Sequence, residues 1–253
     1  MIQIIGMGMG LPQITAEASE ALRGCDYIIA ASKRDDDGLL ALRREVCRAY
    51  DLLLVVVPDR ERDRVSMSST GETGSTGGGT MSAAYETSVQ DWHATRVAAY
   101  RDVIATHAGR PGFLVWGDPA LYDSTIRIVR ELDPDYSVVP GISAPQLLAA
   151  RHRMVLHEVG QPVLITTQRR LASSIAGGAE NLVVMLTSGL SDDLIAEAGI
   201  ADWQIWWGAN LGTPSERLIA GRVGDVAEQI RTSRAAARAE AGWVMDLFLV
   251  RRP

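Results

Sequence analysis

Residues 113–125 read FLVWGDPALYDST. Four large apolar residues run straight into a glycine, an acid and a proline, the combination least able to prolong a strand. A short apolar run bounded by such breakers is the pattern of a strand covered on both faces. Pro119 has no N–H to give to a sheet ladder, yet its fixed φ suits the first turn of a helix. The stretch therefore reads as a strand over 113–116, a sharp turn and a helix over 120–132. In open α/β sheets ligands bind at the carboxyl ends of strands, so the Gly117-Asp118-Pro119 turn marks a candidate site.

Strand-like runs at 2–5, 27–30, 52–57, 113–116 and 137–139 alternate with helical patterns at 16–22, 39–49, 86–107 and 120–132. Such alternation implies βαβ crossovers and a mostly parallel sheet. The second half reads differently. Strand candidates at 163–166, 182–186, 204–207, 218–220 and 243–250 are separated by few helices, such as 192–198 and 225–239. The expected fold is two α/β domains. The first, 1–141, carries a mostly parallel sheet, the second, 142–253, a mixed sheet, and a ligand cleft lies between them.

Two further turns resemble the first in design. Residues 4–10, IIGMGMG, follow a strand, and Gly6, Gly8 and Gly10 allow a ligand close to the backbone. The dinucleotide fingerprint G-x-G-x-x-G is absent, because Leu11 occupies its last glycine position and Pro12 follows. Residues 138–153, VVPGISAPQLLAARHR, end a strand at Pro140-Gly141 and place Ser143 to cap the helix carrying Gln146 to Arg153. Three strand ends finishing in glycine turns line one edge of a sheet.

Composition sets the outer bounds. The longest unbroken apolar run, 52–57, is far short of the ~20 residues a membrane helix needs, and no leader opens the chain, so neither membrane nor export is expected. Cys25 and Cys47 are the only cysteines and form no metal-ligand cluster; free thiols in a reducing compartment, the cytoplasm, follow. With 25 basic and 31 acidic residues the net charge is −6, which disfavours nucleic acid. An anionic ligand therefore needs a local basic patch. Arg151-His152-Arg153 and Arg169-Arg170 are the candidates, although paired arginines at helix starts are more often solvated surface. Residues 66–82, SMSSTGETGSTGGGTMS, bury too little apolar surface to order themselves and read as a mobile surface loop, a tolerated insertion more readily than a lid.

The set IGMGMGLPQIT, WGDPALYDST, VPGISAPQLLAARHR, ENLVVML, WWGANLGTPSE and GWVMD resembles the tetrapyrrole (corrin/porphyrin) methyltransferase family, which uses S-adenosylmethionine. The longer text, PDRERDR, QDWHATR, WGDPALYDSTIRIVREL, ISAPQLLAARHRMVLHEVGQPVLITTQRRL and GWVMDLFLVRR, is similar to the branch that acts in cobalamin biosynthesis on precorrin-5, methylating its carbon 1 and releasing the extruded acetyl unit. The likeness spans nearly the whole chain outside 66–82. It departs in the first turn, where relatives carry an acid or asparagine in place of Leu11.

The resemblance implies donor contacts at Gly8, Pro12, Trp116, Gly117, Asp118, Leu121, Ser143, Ala144, Leu186, Ala209 and Val244, no metal, a precorrin partner and a homodimer. Methyl transfer from a sulfonium needs little acid or base help, and alignment supplies potentially ~7–11 kcal/mol of the barrier. Asp118 has two readings, a hydrogen-bond acceptor for the donor or a cap of the Pro119 helix. An acceptor rich in carboxylates calls for arginines, for which Arg151, Arg153, Arg169 and Arg170 stand as candidates. Acetate release calls for a base near neutrality, with His93 and His152 named for catalysis beside Asp118; for any one histidine a packing role is the commoner outcome. Trp206 and Trp207 face opposite sides of a strand, so at most one stacks on a macrocycle. Methylation at another corrin position, a nucleotide-dependent oxidoreductase and a tetrapyrrole carrier are the competing readings.

Overall fold

The computed structural model describes residues 1–32, 38–58, 83–133 and 135–253, with side chains undescribed over 83–91. The loop expected over 66–82 lies outside the described residues. The first half runs β1 (Ile2–Gly6), α1 (Ala16–Arg23), β2 (Tyr27–Ser32), α2 (Gly38–Ala49), β3 (Leu53–Pro58), α3 (Ala83–Thr106), β4 (Pro111–Val115), α4 (Thr125–Leu132) and β5 (Tyr136–Val139). Its strands form one five-stranded sheet in the order β3-β2-β4-β1-β5, with parallel pairing. Every residue of β4 is buried, as the unbroken apolar run required.

The second half runs α5 (Ala144–His152), β6 (Leu164–Thr167), α6 (Leu171–Ala176), β7 (Asn181–Met185), α7 (Asp192–Ala198), β8 (Gln204–Ala209), β9 (Arg217–Arg222), α8 (Val223–Ala241) and β10 (Asp246–Arg251). Its sheet has the order β6-β7-β10-β8-β9. Only β6 and β7 pair in parallel; β10 runs antiparallel to both β7 and β8, and β8 to β9. A parallel first sheet and a mixed second sheet match the expectation.

Alternation along β10 divides the second core in two. Phe248 and Val250 join Trp207, Ile205 and Trp203 on one face of the sheet, and Leu247 and Leu249 join Val183, Leu147 and Leu148 on the other. The period of two sends neighbouring residues to opposite cores, so Trp207 is buried in the first while Trp206 packs half-buried against the second.

The structure departs from the sequence reading at α4, β10 and α6. No helix begins at Ala120; α4 starts five residues later, at Thr125. Asp118 Oδ1 takes the Ala120 N–H at 2.8 Å and Asp123 Oδ1 the Thr125 N–H at 2.6 Å. These two local side-chain turns hold amides that an early helix would have left to its first turn. β10 starts at Asp246 and not at Trp243, because the Met245 N–H and C=O are bonded to Asn210. The short α6, LASSIA, carries too few residues to show a periodicity.

Two compact units result, neither continuous along the chain. One comprises Met1–Ile5, Glu20–Leu114 and Tyr122–Val139; the other comprises Gly6–Ser19, Val115–Leu121 and Pro140–Pro253. The turns that end β1, β4 and β5 thus belong with the second unit.

Candidate functional site

The turns after β1 and β4 are bonded to each other. Gly8 N–H donates to Gly117 O at 3.2 Å, and Gly117 N–H donates to Gly8 O at 2.7 Å. The third turn closes on both. A Cβ on Gly141 would overlap the Gly117 carbonyl and stand 2.7 Å from the Gly6 carbonyl carbon, so three backbones meet where no side chain fits. Asp118 completes the arrangement, its Oδ2 accepting the Gly141 N–H at 3.0 Å. The helix-capping reading of Asp118 fails, since no helix begins at Pro119; the carboxylate joins the ends of two strands. Ser143 does cap its helix, with Oγ accepting from Gln146 N and Gln146 Oε1 accepting the Ser143 N–H at 2.9 Å.

Around these turns lies one apolar cluster. Met9 from the first turn, Trp116 from the second, and Ile142 and Ala144 from the third pack with Leu211, just after β8, and Met245, just before β10. All eleven residues expected to contact the donor fall in the second unit. Gly8 and Gly117 are buried, Trp116, Leu121, Ala144 and Val244 are half-buried, and Pro12 is exposed on a short 3-10 helix, Leu11–Gln13. Ala209 has no exposed surface.

Two strand ends hold non-glycine residues at positive φ. Leu186, after β7, has φ 53° and is 64% exposed. Its neighbours are pinned: Ser188 N–H donates to Gln168 Oε1 at 2.7 Å, Gln168 Nε2 to Ser188 Oγ at 3.1 Å, and Thr187 Oγ1 to Asp246 O at 3.3 Å. Asn210, after β8, has φ 48° and is wholly buried. It exchanges backbone and side-chain bonds with Met245, donating N–H to Met245 O at 2.8 Å and accepting Met245 N–H on Oδ1 at 2.9 Å. Its Nδ2 donates to Ser215 Oγ at 3.0 Å. Strained backbone held by surrounding bonds is commonest where a ligand is gripped. Asn210 went unremarked in the sequence because its place within ANLGT looks like an ordinary turn asparagine.

Gln13 also escaped notice. It is 7% exposed, and its Oε1 has no hydrogen-bond partner among the described residues. Its side chain lies against Gly8 on one side and Gly212 on the other. Nothing in the sequence separates it from a solvated glutamine.

The basic candidates divide. Arg151 is engaged, its Nε donating to both Glu216 carboxylate oxygens at 3.1 and 3.0 Å, and Glu216 Oε2 also accepts the Gly212 N–H at 2.6 Å. Arg153, which ends α5 at φ 54°, and Arg169 and Arg170 are exposed and have no acidic partner among the described residues. His152 is half-buried, with Nε2 3.0 Å from Trp207 O. His93 stands apart from the rest, in the first unit on α3, with Nδ1 3.5 Å from Glu131 Oε1. Of the tryptophans, Trp207 donates Nε1–H to buried Asp246 Oδ2 at 3.1 Å and is core, while the Trp206 ring lies under the Arg251 guanidinium at 5.3 Å.

A family model described as Tetrapyrrole (Corrin/Porphyrin) Methylases matches residues 1–227. A precorrin-6A synthase [deacetylating] from Sinorhizobium sp is 40% identical over 268 aligned positions, covering 99% of this chain and 95% of the relative. The crystal structure of a cobalamin synthesis related protein (CobF) from Corynebacterium diphtheriae superposes with a TM-score of 0.76 at 32% identity, over 99% of this chain and 97% of that one. A uroporphyrin-III C-methyl transferase from Thermus thermophilus, solved with S-adenosyl homocysteine, shares the fold at a TM-score of 0.57 and 17% identity, over 99% and 97% of the two chains.

Proposed function

The chain belongs to the tetrapyrrole (corrin/porphyrin) methylase family, and from that premise we propose that it is a precorrin-6A synthase (deacetylating), an S-adenosylmethionine-dependent enzyme of cobalamin biosynthesis. The supporting observation is the 40% identity to a relative of that name along 99% of the chain. In this reading the methyl group passes to carbon 1 of precorrin-5, the acetyl unit leaves as acetate after addition of water, and precorrin-6A is formed. When bound, S-adenosylmethionine supplies an electrophilic methyl group whose sulfur leaves as a neutral thioether.

The residues present fit such a donor. Close-packed glycine turns leave room against the backbone, the Met9–Trp116–Met245 cluster offers an apolar wall, and Gln13 offers a buried, unmet acceptor. Gly8, Trp116, Gly117, Leu121, Ala144 and Leu186 hold the donor, with Pro12, Ser143, Ala209 and Val244 shaping the same turns. Asp118 acts by bridging two of those turns, and so aligns and does not transfer protons. Preorganised alignment is the main contribution such a reaction needs. Arg153, Arg169 and Arg170, which have no acidic partner among the described residues, take the acceptor's carboxylates, whereas Arg151 would first have to leave Glu216. His152 is the better placed of the two histidines for the water step, since it shares the unit that carries the turns. The enzyme works in the cytoplasm as a homodimer.

Calorimetric titration with S-adenosylhomocysteine, run beside NADH, tests the donor. Binding of the former alone is expected. Binding of NADH alone, or of neither, overturns the assignment. Incubation with precorrin-5 and S-adenosylmethionine should then give a methylated corrin and free acetate in equal amounts by mass spectrometry; methylation without acetate points to another corrin position.

A further inference from the structure

We infer that Gln13 is a donor-reading residue, its buried carboxamide oxygen accepting a hydrogen bond from an N–H or O–H of the bound S-adenosyl group. The inference rests on the donor assignment above and goes beyond it, since Gln13 is not among the residues that the family resemblance points to. Gln13 is 7% exposed, and Oε1 has no partner among the described residues. Buried side-chain oxygens are nearly always satisfied, so one that is not asks what satisfies it.

The fold holds the group in place without meeting it. Its Cβ fills the space over Gly8, where any side chain would collide, and this fixes the root of the side chain. At the far end the carboxamide faces Gly212, with Oε1 2.9 Å from where a Cβ would stand and Cδ 3.2 Å from the same point. The amide of Gly212 is not available to it, because that N–H already donates to Glu216 Oε2 at 2.6 Å. Gln13 therefore sits between the first glycine turn and the 210–216 loop with an acceptor presented and no protein donor assigned to it.

The polarity narrows the ligand. Oε1 can only accept, so a phosphate or carboxylate could satisfy Nε2 but would leave Oε1 unmet. An S-adenosyl group brings an ammonium, two ribose hydroxyls and an exocyclic amine, all donors. A Leu11-Pro12 turn that carries no acid of its own leaves Gln13 as the polar group of the short helix behind the glycines.

Two replacements test this. Gln13→Met keeps the length and removes the acceptor; Gln13→Glu keeps an acceptor. Each is measured without ligand by thermal unfolding and with S-adenosylhomocysteine by calorimetry, and Gln13→Leu stands in should Gln13→Met fail to fold. Removing an unmet buried acceptor should leave the ligand-free Tm unchanged or higher and weaken S-adenosylhomocysteine roughly five- to tenfold, while Gln13→Glu stays within about threefold of the parent. A purely structural glutamine gives the opposite pattern, a lower Tm with unchanged Kd, and that result overturns the inference. If the parent protein binds S-adenosylhomocysteine and Gln13→Met binds it equally well, the inference alone falls. If the parent does not bind it, the donor assignment falls and takes the inference with it.

Discussion

The Asp118 carboxylate reaches from the end of β4 to the turn after β5, its Oδ2 accepting the Gly141 N–H at 3.0 Å while Oδ1 holds the Ala120 N–H at 2.8 Å. One side chain thus fixes the spacing of two turns that are 23 residues apart in sequence. Replacement by alanine removes both bonds to a charged acceptor and leaves two amides to find water, a loss of about 2 kcal/mol for a half-exposed site. Urea unfolding of Asp118→Ala should show that loss, and calorimetry should show weaker S-adenosylhomocysteine binding in the same variant. Unchanged stability would mean that the bridge is not kept in solution.

Gly141 is the point where the backbones of three strand ends meet. Its Cβ position overlaps the Gly117 carbonyl, and neither neighbour is a flexible side chain able to swing away. Gly141→Ala should therefore cost about 3 kcal/mol through forced backbone separation. Gly10→Ala is the comparison, since a Cβ there meets nothing within 4 Å and only its φ of 133° opposes the change. A Gly141→Ala variant no less stable than Gly10→Ala would show that the close approach relaxes at little cost.

In the second unit, Asp246 has a side chain only 2% exposed and takes Arg234 Nε on both oxygens at 3.1 Å, together with Trp207 Nε1–H. Removing the guanidinium strands a buried carboxylate, at a cost of roughly 3–5 kcal/mol. Arg234→Met should fall in that range by denaturant titration, and adding Asp246→Leu should recover part of the loss. A double variant as unstable as the sum of its parts would show that the pair does not couple.

Fold and turns were legible because each rests on local chemistry. The apolar run before Gly117-Asp118-Pro119 forced a buried strand to stop, the alternation of strand and helix patterns gave a parallel sheet, and Ser143 stood where a helix cap belongs. What stayed hidden depends on distant partners. The start of α4 was displaced by Asp118 and Asp123 bonding nearby amides, which no periodicity records. The engagement of Arg151 by Glu216 spans 65 residues, and the isolation of Gln13 Oε1 spans the distance from Gly8 to Gly212. Such relations arise only when the chain has folded.

The two cysteines give a prediction with a definite sign. Cys25 and Cys47 are free and buried, 5% and 2% exposed, and burial pushes each thiol up to about 11 from the ordinary 9.0. Burial raises Tyr27 in the same direction. A folded-state value above the unfolded one means that the unfolded chain releases its proton first as pH rises. Stability from these thiols is therefore intact below pH 9 and declines between pH 9 and 11, by up to about 1.4 kcal/mol per pH unit for each thiol. Urea midpoints measured from pH 8 to pH 11 should fall across that window, and the fall should be shallower in Cys25→Ala/Cys47→Ala, where Tyr27 still contributes. At pH 8 the thiolate fraction is about one in a thousand, so a disulfide-exchange reagent should label the native protein slowly and the urea-unfolded protein at once. Rapid labelling of the native protein would mean that a thiol is reached by local opening, of α2 for Cys47 or of the turn between α1 and β2 for Cys25, and hydrogen exchange in α2 would then distinguish the two.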